Sequence, residues 1–117
     1  MATIDSAILV IDPSVNNHSD VIVDCQINIP NSELQHQFTI DCSVFGSDLL
    51  RDDFIFSYDT QFPGGAAFNP NIRFTKRVSN SDLNEDRIGR DEVVGKITLK
   101  NVTQNKTVKR NTSIVTV

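Results

Sequence analysis

The residues with the clearest potential for chemistry lie between Ser81 and Lys100, a stretch that opens with acidic residues and closes as a strand. Calcium binds about six to eight oxygen ligands and tolerates irregular geometry. Gly89 lies within the acidic part and favours a tight turn, since glycine accepts positive φ. The stretch predicts either a shallow calcium site or an ordinary polar turn between strands. The predicted metal ligands are Asp82, Asn84, Asp86, Asp91 and Glu92.

Residues 84–95, NEDRIGRDEVVG, resemble the third calcium-binding loop of C2 domains. That loop has an Asp-x-Asp-Arg motif, a variable run, a second acidic residue and a glycine that opens the next strand. The resemblance implies that Asn84, Asp86 and Glu92 are ligands and that Gly95 is the strand-opening glycine. It also implies that a bound calcium ion would link the acidic loop to an anionic surface. Asn84 departs from the pattern because it is neutral.

Length and composition indicate one small domain. The chain has 117 residues, of which 38% are hydrophobic, enough for one core covering residues 1–117. No apolar run is long enough to span a bilayer as a helix. The amino-terminal residues lack the basic and apolar regions of a signal peptide, so we expect a cytoplasmic location.

Charge is distributed unevenly along the chain. Residues 1–62 carry a net charge of −9 and residues 63–117 carry +5, which together give −4. The basic half could bind an anionic partner such as phospholipid through Arg73, Lys76 and Arg77. The favoured interpretation is that acidic and basic strands are neighbours and partly neutralise each other. Nucleic acid is not expected, because Phe74 is the one aromatic residue among these basic residues and stacking platforms need several.

Apolar residues at period two predict an all-β fold. Because Lys76 interrupts the apolar side of its strand, that strand is predicted to lie at a sheet edge. About seven short strands predict an antiparallel β-sandwich, immunoglobulin-like or C2-like, with a jelly roll or small barrel as the alternative. The predicted strands are Ile4–Ile11, Val21–Ile29, Phe38–Val44, Phe54–Tyr58, Asn71–Val78, Val93–Leu99 and Thr107–Val117.

The second and third predicted strands suggest a hairpin. One register pairs Ile29 with Phe38 and aligns both apolar faces, although shifts of two residues would do the same. This register places Cys25 opposite Cys42. The two thiols are then either small core residues in a reducing compartment or a cross-strand disulfide or redox pair. They do not form a convincing zinc site with the two histidines.

Enzymatic motifs are lacking in the sequence, so we expect a non-enzymatic protein. His18 and His36 fall in predicted loops, and no nucleophile elbow is present. Phe62 and Phe68 lie on a glycine- and proline-containing loop, where they either fill the end of the sandwich or contact a partner. The sequence therefore predicts an interaction module that binds a protein or an anionic surface through its end loops, with calcium assisting. The alternative is a structural or self-assembling subunit without a small-molecule ligand.

Overall fold

Eight strands are present in the computed structural model, which describes residues 1–47, 52–63, 70–83 and 92–116. A 3-10 turn over Asn31–Glu33 and a one-turn helix, α1, over Asn80–Leu83 are the helical segments of these ranges. No helix in the described ranges has the length and apolar character required to cross a membrane. The strands are β1 Thr3–Pro13, β2 His18–Asn28, β3 Phe38–Ser47, β4 Asp52–Ser57, β5 Asn71–Ser79, β6 Glu92–Asn101, β7 Lys106–Asn111 and β8 Val115–Thr116.

The strands form two antiparallel sheets that pack as a β-sandwich. The smaller sheet has the order β1-β2-β5, and the larger has the order β4-β3-β6-β7 with β8 also pairing to β6. The prediction of an all-β sandwich is confirmed. The placement of β5 at a sheet edge, predicted from Lys76, is confirmed as well. The observed strands extend one to three residues beyond several predicted ends, where polar residues continue the ladders.

The predicted hairpin between the second and third strands is wrong. β2 pairs with β1 and β5, whereas β3 pairs with β4 and β6, so the two strands belong to different sheets. The nine residues 29–37, which include the 3-10 turn, carry the chain from one sheet to the other. Cys25 and Cys42 are therefore not a cross-strand pair. Both are buried free thiols, one in each sheet.

One hydrophobic core lies between the sheets. Its members come from both, including Val23 and Phe74 in the smaller sheet and Ile40 and Ile97 in the larger. Tyr58, which follows β4, joins the sheets directly: its hydroxyl donates to the carbonyl oxygen of Val21 at 2.7 Å. Burial, followed by the nearby Cys42, raises the pKa of the Tyr58 phenol, so the hydroxyl keeps its proton and stays a donor at neutral pH.

The last predicted strand is divided in two, because Thr112 leaves the ladder after β7. Its side-chain oxygen accepts a hydrogen bond from the backbone N–H of Gly95 at 2.9 Å, and its own N–H donates to Gly95 oxygen at 2.8 Å. A Cβ atom at Gly95 would lie 3.0 Å from Cγ2 of Thr112. Gly95 therefore lies inside β6, where its lack of a side chain lets the strand ending at Thr112 approach closely.

Candidate functional site

A cleft of about 520 Å³ opens at one end of the sandwich, beside the amino-terminal end of β3. Its residues come from four segments: the end of the inter-sheet connection, the start of β3, the chain that follows β4, and the turn between β6 and β7. Phe62 forms one side and leaves 78% of its surface exposed. The lining residues are His36, Gln37, Phe38, Thr39, Phe62, Pro63 and Val102. Apolar walls with a few polar groups are typical of binding clefts.

The floor of the cleft includes Phe38, which is 3% exposed. Bonding directions alternate along an antiparallel strand. Gln37 accepts from Val102 N on the β6 side at 2.7 Å, whereas Ile40 exchanges hydrogen bonds of 2.9 and 3.0 Å with Gln61 on the opposite side. The N–H and C=O of Phe38 share the direction of those of Ile40, so they point toward the segment that follows Gln61. Continuing this register places Pro63 opposite Phe38, so the chain itself covers this edge of β3, and both residues are buried.

The wall that carries Phe62 is fixed by Gln61. Besides its bridge to Ile40, Gln61 donates from its side-chain amide to the carbonyl oxygen of Arg73 at 2.7 Å. This bond ties the segment after β4 to β5, the edge strand of the smaller sheet. Phe62 thus projects from a backbone that both sheets hold in place.

The opposite wall is fixed by a polar network around Asn101, a buried residue at the end of β6. The Asn101 amide donates to Glu33 Oε1 at 2.8 Å and lies 3.0 Å from His36 Nδ1. Donation to Nδ1 requires the tautomer with hydrogen on Nε2, which leaves the imidazole a second polar atom that can donate. The Asn101 side-chain oxygen accepts from Gln104 N at 3.0 Å, which secures the turn that carries Val102.

Glu33 is a buried carboxylate with partners for both oxygens. Asn101 donates to Oε1, and the amino group of Met1 lies 3.0 Å from Oε2. Burial alone would raise the pKa of Glu33. The hydrogen bonds from the Met1 amino group and Asn101, with the nearby positive charge, outweigh burial and hold the pKa below its ordinary value of 4.5. Glu33 is therefore ionised at neutral pH and accepts hydrogen bonds from both Asn101 and the Met1 amino group.

Of the predicted calcium ligands, the structure describes two. Asp82 is exposed on α1, and Glu92 is exposed at the first position of β6, where it pairs in register with Ser47 and Thr116. Asn84, Asp86 and Asp91 lie outside the described residues. Across the described ranges, no three His, Cys, Asp or Glu side chains are grouped so that they could hold a metal ion. The calcium site stays a prediction.

The predicted basic partner-binding residues lie on β5, and their surroundings differ. Arg73 pairs with Asp24 of β2 through two hydrogen bonds of 2.8 and 3.1 Å, and Arg77 pairs with Asp20 at 3.1 Å. Lys76 points to the opposite side of the strand, with its amine 5.3 Å from the ring centre of Phe56. The favoured interpretation of the charge asymmetry, neighbouring acidic and basic strands, is confirmed for Arg73 and Arg77 by these ion pairs.

Phe62 is the predicted partner-binding residue that lines the cleft, while Phe68 lies outside the described residues. The sequence analysis did not identify Glu33, Asn101 or Phe38 as parts of a site. Glu33 follows Pro30, a strand-breaking residue, in a segment with no periodicity. Glu33 precedes the predicted strand Phe38–Val44, and Asn101 follows the predicted strand Val93–Leu99. Alternation alone could not pair these two strands, so the polar residues beside their ends were the available signal.

The buried thiols do not fit a redox or nucleophilic role. Burial, with a smaller effect of Asp24, raises the pKa of Cys25 to about 11. Burial, with a smaller effect of Cys25, raises the pKa of Cys42 to about 12. Because the thiolate is the reactive form, both residues are protonated and poorly reactive at neutral pH.

Comparison with known proteins shows the fold but not the activity. No protein-family model matches the chain, and no curated protein matches it significantly in sequence. The chain is similar in structure to a protein from Archaeoglobus fulgidus, with a TM-score of 0.52 and 11% identity over 98% of each chain. That protein is described without a stated function. The likeness supports the β-sandwich architecture.

Proposed function

We propose that this protein is a non-enzymatic interaction module that binds an extended segment of a protein partner in the end cleft. The observation that carries the proposal is Phe62, a large aromatic side chain exposed over a cleft whose walls are held by hydrogen bonds. Aromatic residues at such positions commonly dominate the binding energy of protein interfaces. The geometry favours a protein partner over an anionic surface, since no cation lines the described cleft.

Two exposed side chains give the cleft a means of recognising a peptide. Phe62 is 78% exposed and Val102 is 43% exposed, and both line the cleft. An apolar side chain of the peptide would contact Phe62 and Val102. Specificity would come from this apolar contact.

The strand order supports an immunoglobulin-like topology within this proposal. Immunoglobulin-like sandwiches have a first sheet that contains the order A-B-E and a second that contains C-F-G, extended in some members by C′ beside C. The orders β1-β2-β5 and β4-β3-β6-β7 follow that plan, with β4 as C′. The C2-like alternative has less support from this order.

The expected cytoplasmic location stays a prediction, which imaging of a fluorescently tagged chain would test.

Two-dimensional NMR of the labelled protein tests the cleft. The probes are capped tetrapeptides with Val, Leu or Phe at one central position and a matched set with Ser there. We expect the apolar set to shift the amide signals of Phe38, Thr39 and Val102, and the serine set to shift them less. Phe62→Ala should weaken binding by about 1–2 kcal/mol. Phe54→Ala is the control, because Phe54 is 59% exposed on β4 and does not line the cleft.

Two outcomes would contradict the proposal. Peptides that shift signals equally in wild-type protein and in Phe62→Ala would show that Phe62 is not the anchor. Shifts confined to strands away from β3 and the β6–β7 turn would place binding elsewhere.

Calcium assistance is a separate proposal that rests on the acidic sequence of residues 82–92. Melting curves in calcium and in chelator test it, because a ligand that binds the folded state raises the melting temperature. We expect a rise with calcium and a smaller rise in Glu92→Gln. An unchanged melting temperature at millimolar calcium would count against a metal at this loop and would leave the cleft proposal intact.

A further inference from the structure

The outer face of the smaller sheet has an apolar row between two ionic rows. In register across β1, β2 and β5, the middle row contains Val10, Ile22 and Thr75. Val10 is 45% exposed, and its neighbour on the same face, Ile8, is 55% exposed. Exposed apolar residues that are adjacent on one face differ from the single ones that any surface carries. This face is therefore a candidate contact surface.

The flanking rows carry the two Asp–Arg pairs. One row contains Ile8, Asp24 and Arg73, and the other contains Asp12, Asp20 and Arg77. Asp24 and Asp20 each pair with the arginine beside them. Asp12 is an additional exposed carboxylate on β1, at the opposite side of its row from Arg77. The row is consequently acidic at one end and basic at the other.

The edges of this sheet are poorly suited to pairing with another chain. Lys76 on the free edge strand β5 points to the core side with its amine over Phe56, and an inward-pointing charge of this kind discourages edge-to-edge pairing. At the other edge, Arg110 donates to the carbonyl oxygen of Ile4 at 2.9 Å, beside a register shift between Ile4 and Ser6. The exposed apolar side chains lie on the face, so contact through the face is favoured.

We propose that the occupant of this face is a second copy of the chain, related by a two-fold axis that runs parallel to β2 near Ile22. This axis places β1 of each copy over β5 of the other and keeps the rows level. Asp12 of one copy then faces Arg77 of the other twice, Val10 faces Thr75, and the two Ile22 side chains meet. Because β2 lies on the axis, Asp20 and Asp24 each face their own copies, and Ile8 faces Arg73. Isologous contact of this kind needs a self-complementary surface, which the acidic-to-basic row provides.

The alternative two-fold axis, across the strands, gives poor complementarity. It reverses the order of the rows and sets Asp24 over Asp20 and Arg73 over Arg77 of the second copy. It also places Ile8 over Asp12. This axis gives four contacts between like charges, two between aspartates and two between arginines, and none between opposite charges. The axis along β2 gives two contacts between like charges, in which each aspartate stays beside its own arginine, and two Asp12–Arg77 contacts between opposite charges. The balance of charge contacts therefore favours the axis along β2.

The predicted dimer is weak. Three strands spaced about 4.8 Å apart and roughly 30 Å long offer on the order of 500 Å² per copy. The resulting total of roughly 1,000 Å² is at the low end for specific interfaces. We expect a dissociation constant between about 10 μM and 1 mM.

Sedimentation velocity of the 117-residue chain from about 10 μM to 1 mM tests the proposal over the range that such an affinity requires. The wild-type chain should shift from monomer to dimer. Val10→Lys, Asp12→Arg and Arg77→Asp should each weaken association by about tenfold or more, because each places an unfavourable charge twice in the symmetric interface. Lys109→Glu is the control, since Lys109 is exposed on β7 of the other sheet. Thermal melts establish that each variant is folded.

Mixing the two charge-reversal variants gives the decisive result. In a dimer of one Asp12→Arg chain and one Arg77→Asp chain, the introduced arginine faces the introduced aspartate and the second contact is the native one. Equal amounts of the two variants should therefore associate nearly as the wild-type chain does, while each alone does not. A wild-type chain that remains monomeric throughout the concentration range would overturn the proposal. So would association that these variants leave unchanged, or a mixture no more associated than its components.

Discussion

The two sheets are built from similar alternating strands, yet their outer faces differ. In the smaller sheet, β2 and β5 pair over nine consecutive positions, and Arg73 and Arg77 each pair with an aspartate. Each sheet has one register shift, on β1 in the smaller and on β3 in the larger, and the larger sheet is also interrupted at Thr112. The pairing of β2 with β5 brings opposite charges into register, so the smaller sheet neutralises these two arginines within the fold.

The outer face of the larger sheet has a different chemistry. Phe45 and Phe54 form an edge-to-face pair with ring centres 5.7 Å apart, and the amine of Lys96 lies 4.5 Å from the centre of the Phe45 ring. Lys100 and Lys109 follow on β6 and β7. The excess of basic residues after residue 62 therefore does not form one basic surface, because the Asp–Arg pairs of the smaller sheet neutralise part of it.

The largest expected effect comes from a substitution in the core that both sheets share. Phe74→Ala deletes a ring that is 2% exposed and lies 5.3 Å from the ring of Tyr58, between the sheets. We expect a loss of about 3–5 kcal/mol in the free energy of unfolding, because a cavity remains. Phe54→Ala, on the outer face, should cost far less. Denaturant unfolding measures both, and similar losses would contradict a single inter-sheet core.

Glu33 belongs to neither outer face, so acid titration distinguishes it from the surface ion pairs. Glu33→Gln should lower stability at pH 7 by about 1–2 kcal/mol, since charged hydrogen bonds are lost. The folded-state pKa is below 4.5, so this contribution is fully present above pH 4.5 and is lost as the pH falls through the folded-state pKa. The difference between wild type and variant should therefore shrink in acid. A constant difference between pH 7 and pH 2 would contradict the assignment.

Gly95→Ala tests the interruption of the larger sheet at Thr112. The added Cβ would lie 3.0 Å from Cγ2 of Thr112, so the strand ending must move. We expect destabilisation of about 1 kcal/mol. Thr112→Ser keeps the oxygen that Gly95 N–H contacts and removes the crowding methyl group, so the double variant should be more stable than Gly95→Ala predicts by addition. Strict additivity in thermal unfolding would show that the two residues are not coupled.

The smallest expected effect separates the two outer faces. Arg73→Ala should lower stability slightly in low salt and less in high salt, because exposed ion pairs are weak and screened. Lys109→Ala, in the larger sheet, should change stability little at either ionic strength. Chemical denaturation with urea at two salt concentrations measures the difference. Equal salt dependence for the two variants would remove the electrostatic distinction between the sheets.

Alternation in the sequence predicted which residues are buried but not which strands are neighbours. The predicted hairpin register matched the apolar residues of β2 with those of β3. Two strands that bury apolar residues at period two also satisfy this match when they face each other across a core. Charge carried more information about position: Lys76 predicted an edge strand correctly. Phe62 was predicted as a contact residue, but the cleft beside it also depends on Asn101 and Glu33, which meet only through the fold.

The sheet orders also have a consequence for how the chain folds. The turn between β6 and β7 and the hairpin of β1 and β2 close over short distances in sequence, whereas β5 must join β2, and β6 must join β3, from about 45 or more residues away. Loop-closure entropy opposes these joins until the core rewards them. Until β5 arrives, β2 has an open edge that lacks the protection of Lys76. Formation of the β2–β5 and β3–β6 pairs is therefore the expected slow step, and the intermediate preceding it is the state most exposed to aggregation.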